Sequence, residues 1–95
     1  MRVKYSPAFL SILKRVDVRI RKSLRESIAI FIRNPNDLEL DNHDLRDEWL
    51  GYRSIDVTEN WRALYKEITE NDESVAYFIA LGTHDGLYGK GRRTA

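Results

Sequence analysis

The sequence predicts an α+β fold in which two helices pack on one antiparallel sheet, in the order β-α-α-β-β-β. Two observations carry this. Apolar residues recur at helical spacing as far as Arg33, then at a spacing of two from Gly51 onward. Between the two regimes stands Asn34-Pro35-Asn36, a helix stop, because proline disfavours helix in the residue before it.

The elements follow in order. Arg2-Val3-Lys4-Tyr5 alternates polar and apolar and reads as a short strand. Ser6-Pro7 supplies an N-cap and a proline in the first turn, where its missing N–H costs nothing. Phe9, Leu10, Leu13 and Val16 mark the first helix; Asp17 caps a second, striped by Ile20, Leu24, Ile28, Phe31 and Ile32. The short joint predicts an antiparallel pair. Residues 36–48 form a polar, acidic connection to Trp49. Gly51 to Val57, Trp61 to Ile68 and Val75 to Leu81 read as three strands of an antiparallel meander, with turns at 58–60 and 70–73. The last strand is almost wholly apolar and is expected to be central or covered on both faces. Residues 82–89 read as a glycine-rich turn leaving it. Residues 1–89 are expected to form one domain, and 90–95 a flexible tail.

At 95 residues with no cysteine, this domain must rest on an apolar core, without disulfides or a thiolate metal site. No signal peptide and no membrane-length apolar run is visible, so a cytoplasmic, non-membrane protein is expected. The net charge of +1 conceals an asymmetry. Residues 1–33 carry nine Lys/Arg against two Asp/Glu, or +7, and residues 34–74 carry four against twelve, or −8. A basic end of this kind faces phosphates, an acidic protein or simply water.

The familiar catalytic signatures are missing: no phosphate-binding glycine loop, no Gly-x-Ser-x-Gly and no His-Glu-x-x-His. No ligand spacing indicates a metal, and no cofactor is implied. His43 and His84 remain, each in a loop flanking the expected sheet. Histidine changes charge nearest neutral pH, so a pair can divide into acid and base, or both can be plain surface residues. Arg53 and Arg62 interrupt apolar strands and need an anion or water, whether an internal carboxylate such as Asp56 or Glu48, or a phosphate. Trp49, Tyr52 and Tyr88 can pack in a core or stack on unpaired bases.

Three blocks then become specific in combination: Asn42-His43-Asp44-Leu45 followed by Trp49 to Val57; Asn60-Trp61-Arg62-Ala63-Leu64-Tyr65-Lys66; and Gly82-Thr83-His84-Asp85-Gly86-Leu87-Tyr88. In this order and spacing they resemble the YafQ branch of the RelE superfamily of toxin–antitoxin toxins, over about residues 38–89. The resemblance implies a RelE-like fold and a metal-independent, ribosome-dependent endoribonuclease that cuts mRNA and is silenced by a cognate antitoxin in a hetero-oligomer. It implies catalytic roles for His43 and His84, and for Arg62 at the scissile phosphate. Asp56 falls where some members carry a further catalytic histidine, and Tyr88 matches a terminal aromatic. Asn60 stands where an acidic residue is usual, and asparagine cannot take a proton. Asp47 replaces a glycine common after the first histidine. Arg53, Trp49 and Lys90 complete the expected RNA contacts. Three other readings stay open: a RelE-fold protein that binds the ribosome without cutting, a gyrase-directed toxin of the related ParE type, and a generic α+β interaction module.

Overall fold

The computed structural model describes residues 1–89. Lys90 and the expected tail lie outside the described residues. The chain forms β1 (Arg2–Tyr5), α1 (Pro7–Arg15), α2 (Val18–Arg33), β2 (His43–Asp44), β3 (Arg53–Asp56), β4 (Trp61–Glu70), β5 (Glu73–Thr83) and α3 (His84–Tyr88), with single 3-10 turns at Leu38–Leu40 and Asp47–Trp49. The helix caps are those expected. Ser6 Oγ accepts from the Phe9 amide at 3.0 Å, and Asp17 Oδ1 accepts from the Arg19 amide at 2.7 Å. Among the described residues no helix is long and apolar enough to cross a membrane.

The strands make one sheet in the order β1-β5-β4-β3-β2. β5 is an interior strand, flanked by β1 and β4, as its apolar sequence requires, and β4 holds the middle place. The expectation of a purely antiparallel sheet needs correcting, because β1 pairs with β5 in parallel, with Val3 opposite Ala76, and the sheet is mixed. A strand of four residues shows the same alternation whichever way its neighbour runs, so its direction is not written locally. The two-residue strand β2 was also not expected, and residues 84–88 form a short helix rather than a turn. Thr83 initiates that helix: its Oγ1 accepts from the Gly86 amide at 3.0 Å.

One face of the sheet carries the core. Ile55, Ala63, Tyr65, Ala76, Phe78 and Leu81 meet Phe9 of α1 and Leu24, Ile28 and Phe31 of α2. A bulge makes this set possible. Tyr65 lies opposite Phe78 but Leu64 lies opposite Ala80, so Ile79 is the extra residue. Strict alternation would send Phe78 and Leu81 to opposite faces, whereas the bulge turns both toward the helices. Phe78 is fully buried, with its ring centroid 5.0 Å from Tyr65, 5.4 Å from Phe31, 5.9 Å from Phe9 and 6.1 Å from Tyr5. The β4–β5 turn is tighter than expected. Glu70 pairs with Glu73, and Asn71 and Asp72 between them both take positive φ, the geometry of a two-residue hairpin.

Two outcomes follow for stability. Phe78→Ala should lower the unfolding free energy in urea titrations by about 3–5 kcal/mol, and Phe78→Leu by clearly less; equal losses would mean that the ring contacts contribute little. Asp47 holds φ +55°, the left-handed region. That conformation costs a side-chain-bearing residue about 1–2 kcal/mol, partly offset by the roughly 0.5–1 kcal/mol of extra chain entropy that glycine loses on folding. Asp47→Gly should therefore raise stability by about 0.5–1 kcal/mol, and a lower melting temperature would contradict this.

Candidate active site

The sheet face away from the helices gathers the polar residues. Facing partners across the strands run His43–Ser54–Leu64–Ala80 in one row and Asp56–Arg62–Gly82 in the next. Residues directly opposite one another share a face, so the histidine of β2, the aspartate of β3 and the arginine of β4 all project to the same side. α3 folds back over this side: a Cβ placed on Gly82 would come within 3.2 Å of the Leu87 side chain. Glycine at 82 is what lets the helix lie so close.

His43 and His84 line one cleft of about 280 Å³, with Leu45, Arg46, Asp47, Trp49 and Tyr88 as the other walls. The two histidines, 41 positions apart in the chain, thus share one open site. Each is positioned differently. The His43 ring Nδ1 lies 2.7 Å from the Asp41 carbonyl oxygen. A carbonyl only accepts, so this contact places the proton on Nδ1 and leaves Nε2 of the neutral ring with its lone pair. The His84 ring packs edge-on against Tyr88 at 4.7 Å, and its Nδ1 stands 3.8 Å from Asp85 Oδ1.

The backbone around both is pinned. Asn42, just before His43, donates through Nδ2 to the Tyr65 hydroxyl at 2.8 Å and to the Pro35 carbonyl at 2.9 Å, and accepts from Arg53 Nε at 2.8 Å. Arg53 also pairs with Asp44. This guanidinium clips β2 to β3, and its carboxylate partner is Asp44 rather than Asp56 or Glu48. At the other end the His84 amide donates to the Asn60 carbonyl at 2.9 Å, and the Trp49 indole N–H donates to the Leu87 carbonyl at 3.2 Å. Asn60 thus meets the site through its backbone, with an exposed side chain. Trp49 stacks edge-on with Tyr52 at 5.6 Å, so it walls the cleft and anchors α3 together.

Arg62 is largely buried and engaged by internal acceptors. Its Nη1 donates to the carbonyls of Thr58, Glu59 and Trp61 at 2.9–3.1 Å, closing the β3–β4 loop, and its Nε lies 3.1 Å from Asp56 Oδ1. This is the internal ion pair that the sequence left open as an alternative. Burial pushes the Asp56 carboxyl above its ordinary pKa; Arg62 pulls it back, Asp41 adds to the rise and a protonated His43 opposes it. Among the described residues no three His, Cys, Asp or Glu side chains are grouped to hold a metal ion. Two residues of the site were not singled out in the sequence. Asn42 showed no signal beyond adjacency to His43, and Arg46 none beyond a positive charge inside an acidic loop.

No family model matches the chain, and a sequence comparison with curated proteins finds no match. Solved structures do match. YafQ from E. coli strain BL21(DE3) superposes with a TM-score of 0.73 at 28% identity, covering 94% of this chain and 100% of its own. The E. coli DinJ–YafQ complex matches with a TM-score of 0.60 at 28% identity, over 94% and 100% of the two chains. A YoeB/ParE toxin from Agrobacterium tumefaciens agrees in fold, with a TM-score of 0.70 at 20% identity over 88% and 99%. In its β-α-α-β order, its two flanking histidines and its fold over nearly the whole length of both chains, the chain is similar to YafQ, a toxin solved alone and in complex with DinJ as a toxin–antitoxin pair.

Proposed function

We propose that this toxin is a ribosome-dependent endoribonuclease that cleaves mRNA in the His43–His84 cleft. The observation that carries the reading is the meeting of these two imidazoles in one open cleft. RNA brings its own nucleophile. The 2′-hydroxyl attacks the adjacent phosphorus, the bond from phosphorus to the 5′ oxygen breaks, and a 2′,3′-cyclic phosphate remains on the upstream fragment. One group must take the 2′ proton and another must deliver one to the leaving oxygen. Neutral His43, with Nδ1–H held by the Asp41 carbonyl, offers Nε2 as the base. The remaining imidazole of the cleft, His84, is assigned as the acid. No metal or cofactor enters this scheme.

Asp56 and Arg62 act as a positioning pair beneath the histidines, and Tyr88 and Trp49 hold α3 and supply ring surface for a base. Arg53 keeps β2, and so His43, in register. The solved DinJ–YafQ complex supports a cognate antitoxin as partner. Leu10, Leu13, Lys14 and Arg21 line a basic, apolar hollow on the helices where an acidic segment of that antitoxin would fold on binding. Asn60 favours a second reading, a toxin that occupies the ribosome without cutting, since an amide there cannot act as a base.

Primer extension of mRNA in a translating extract separates the two readings. Purified toxin should produce new, ribosome-dependent 5′ ends that antitoxin suppresses, and His43→Ala or His84→Ala should each slow cleavage by about 10²–10⁴-fold. Inhibited translation without new ends, in wild type and variants alike, would establish the non-cutting reading. A second outcome concerns pH. The folded pKa of Asp56 lies above its unfolded value, so its contribution to stability is fully present below the unfolded value of about 3.9 and is lost as pH rises through the folded value. The melting temperature of Asp56→Asn, relative to wild type, should therefore climb as pH is raised through that window; a constant difference would show that burial does not disfavour the carboxylate.

A further inference from the structure

The cleft contains a cation that the scheme above does not use. Arg46 lines it together with the two histidines and has an exposed side chain. Among the described residues the other arginines beyond residue 33 are engaged: Arg53 by Asn42 and Asp44, Arg62 by Asp56 and three carbonyls. The neighbouring carboxylates are also taken, Asp44 by Arg53 and Asp41 beside His43. Among the described residues Arg46 has neither an ion pair nor a side-chain hydrogen bond. Its backbone, in contrast, is held on both sides. The Leu45 amide donates to the Tyr52 carbonyl at 3.0 Å, and the Arg46 carbonyl accepts from the Trp49 amide at 3.0 Å. The left-handed turn at Asp47 starts immediately after it. A free guanidinium on a fixed backbone at the mouth of a cleft is a pre-organised anion site, and its planar fork matches the two non-bridging oxygens of a phosphodiester. A second unpartnered polar group lines the same cleft. The Tyr88 hydroxyl is buried and has no hydrogen-bond partner among the described residues.

We propose that Arg46 is the ligand of the scissile phosphodiester, gripping its non-bridging oxygens between His43 and His84, with the Tyr88 hydroxyl as a second donor. The assignment rests on the RNA-cleaving reading above and moves the phosphate role from Arg62, whose guanidinium closes the β3–β4 loop, to a residue with nothing else to hold. Charge building on the phosphoryl oxygens during attack would be met by a donor already in place.

The test is a binding measurement on the intact toxin with a substrate that cannot react. A dinucleotide carrying a 2′-O-methyl group is titrated into isotopically labelled protein, and the His43 and His84 imidazole and Arg46 Nε–H resonances are followed. In the wild type all three should move on one isotherm. Arg46→Gln should weaken binding about ten- to a hundredfold, the usual range for a lost charge-assisted hydrogen bond. Arg46→Lys should fall between, and Arg25→Gln on the exposed side of α2 should change nothing. With the phosphodiester replaced by an uncharged methylphosphonate, wild type and Arg46→Gln should bind alike. If Arg46→Gln binds the charged dinucleotide as tightly as wild type while both imidazoles still respond, Arg46 is not the phosphate ligand and the RNA cleft stands without it. If the dinucleotide moves neither imidazole in the wild type, the RNA reading of the cleft falls, and this assignment with it.

Discussion

The packing of Phe78 against four other rings is the interaction on which the rest of the structure depends. Phe78 sits in the interior strand β5, under α1 through Phe9 and under α2 through Phe31, beside Tyr65 of β4 and Tyr5 of β1. One side chain therefore ties together both long helices and three strands. Aromatic contacts of this kind add about 0.5–1.5 kcal/mol per pair beyond the area they bury. In a chain of 95 residues without disulfides, that concentration of contact matters. The backbone contributes at the same point: the Phe78 carbonyl accepts from the Ser6 amide at 2.9 Å, so the start of α1 is anchored where its first apolar residue packs.

From this core the candidate site is reached by polar links. Tyr65 touches Phe78 with its ring and Asn42 with its hydroxyl, and Asn42 holds the loop from which His43 projects. On the far side β5 runs on from Phe78 to Gly82 and Thr83, which seat α3 and with it His84. Each histidine stands a few contacts from the same buried ring, although both are exposed. A rigid core beneath the two histidines suits the proton transfers proposed for them, since proton transfer tolerates little error in position.

The charge pattern takes on a different meaning once the fold is known. The basic excess of residues 1–33 is partly spent locally: Arg2 and Lys4 pair with Glu73 and Glu70 at 3.0 and 2.8 Å, and Arg19 with Asp17. These exposed pairs contribute little to stability. What remains is a helical surface of unspent lysines and arginines beside exposed leucine, opposite the cleft in sequence and available to an acidic partner. In the acidic half the reverse holds: its few arginines are the structural ones, apart from Arg46.

Sequence by itself determined the local elements. The caps at Ser6 and Asp17, the stop at Asn34-Pro35, the three antiparallel strands of the second half and the interior place of the apolar strand all follow from propensities and periods acting over a few residues. The three motif blocks also placed His43 and His84 in the family's pattern, and flagged Asp47, whose positive φ explains why glycine is common there. The tertiary structure alone decided the parallel direction of β1, the bulge that turns both Phe78 and Leu81 inward, and the folding of α3 over Gly82. It also decided that Arg53 and Arg62 are engaged by internal acceptors while Arg46 is not. The reason is range. A helix cap is a contact between residues three apart, while the pairing of Val3 with Ala76, or of His43 with His84 across a cleft, joins residues that only the packed core brings together.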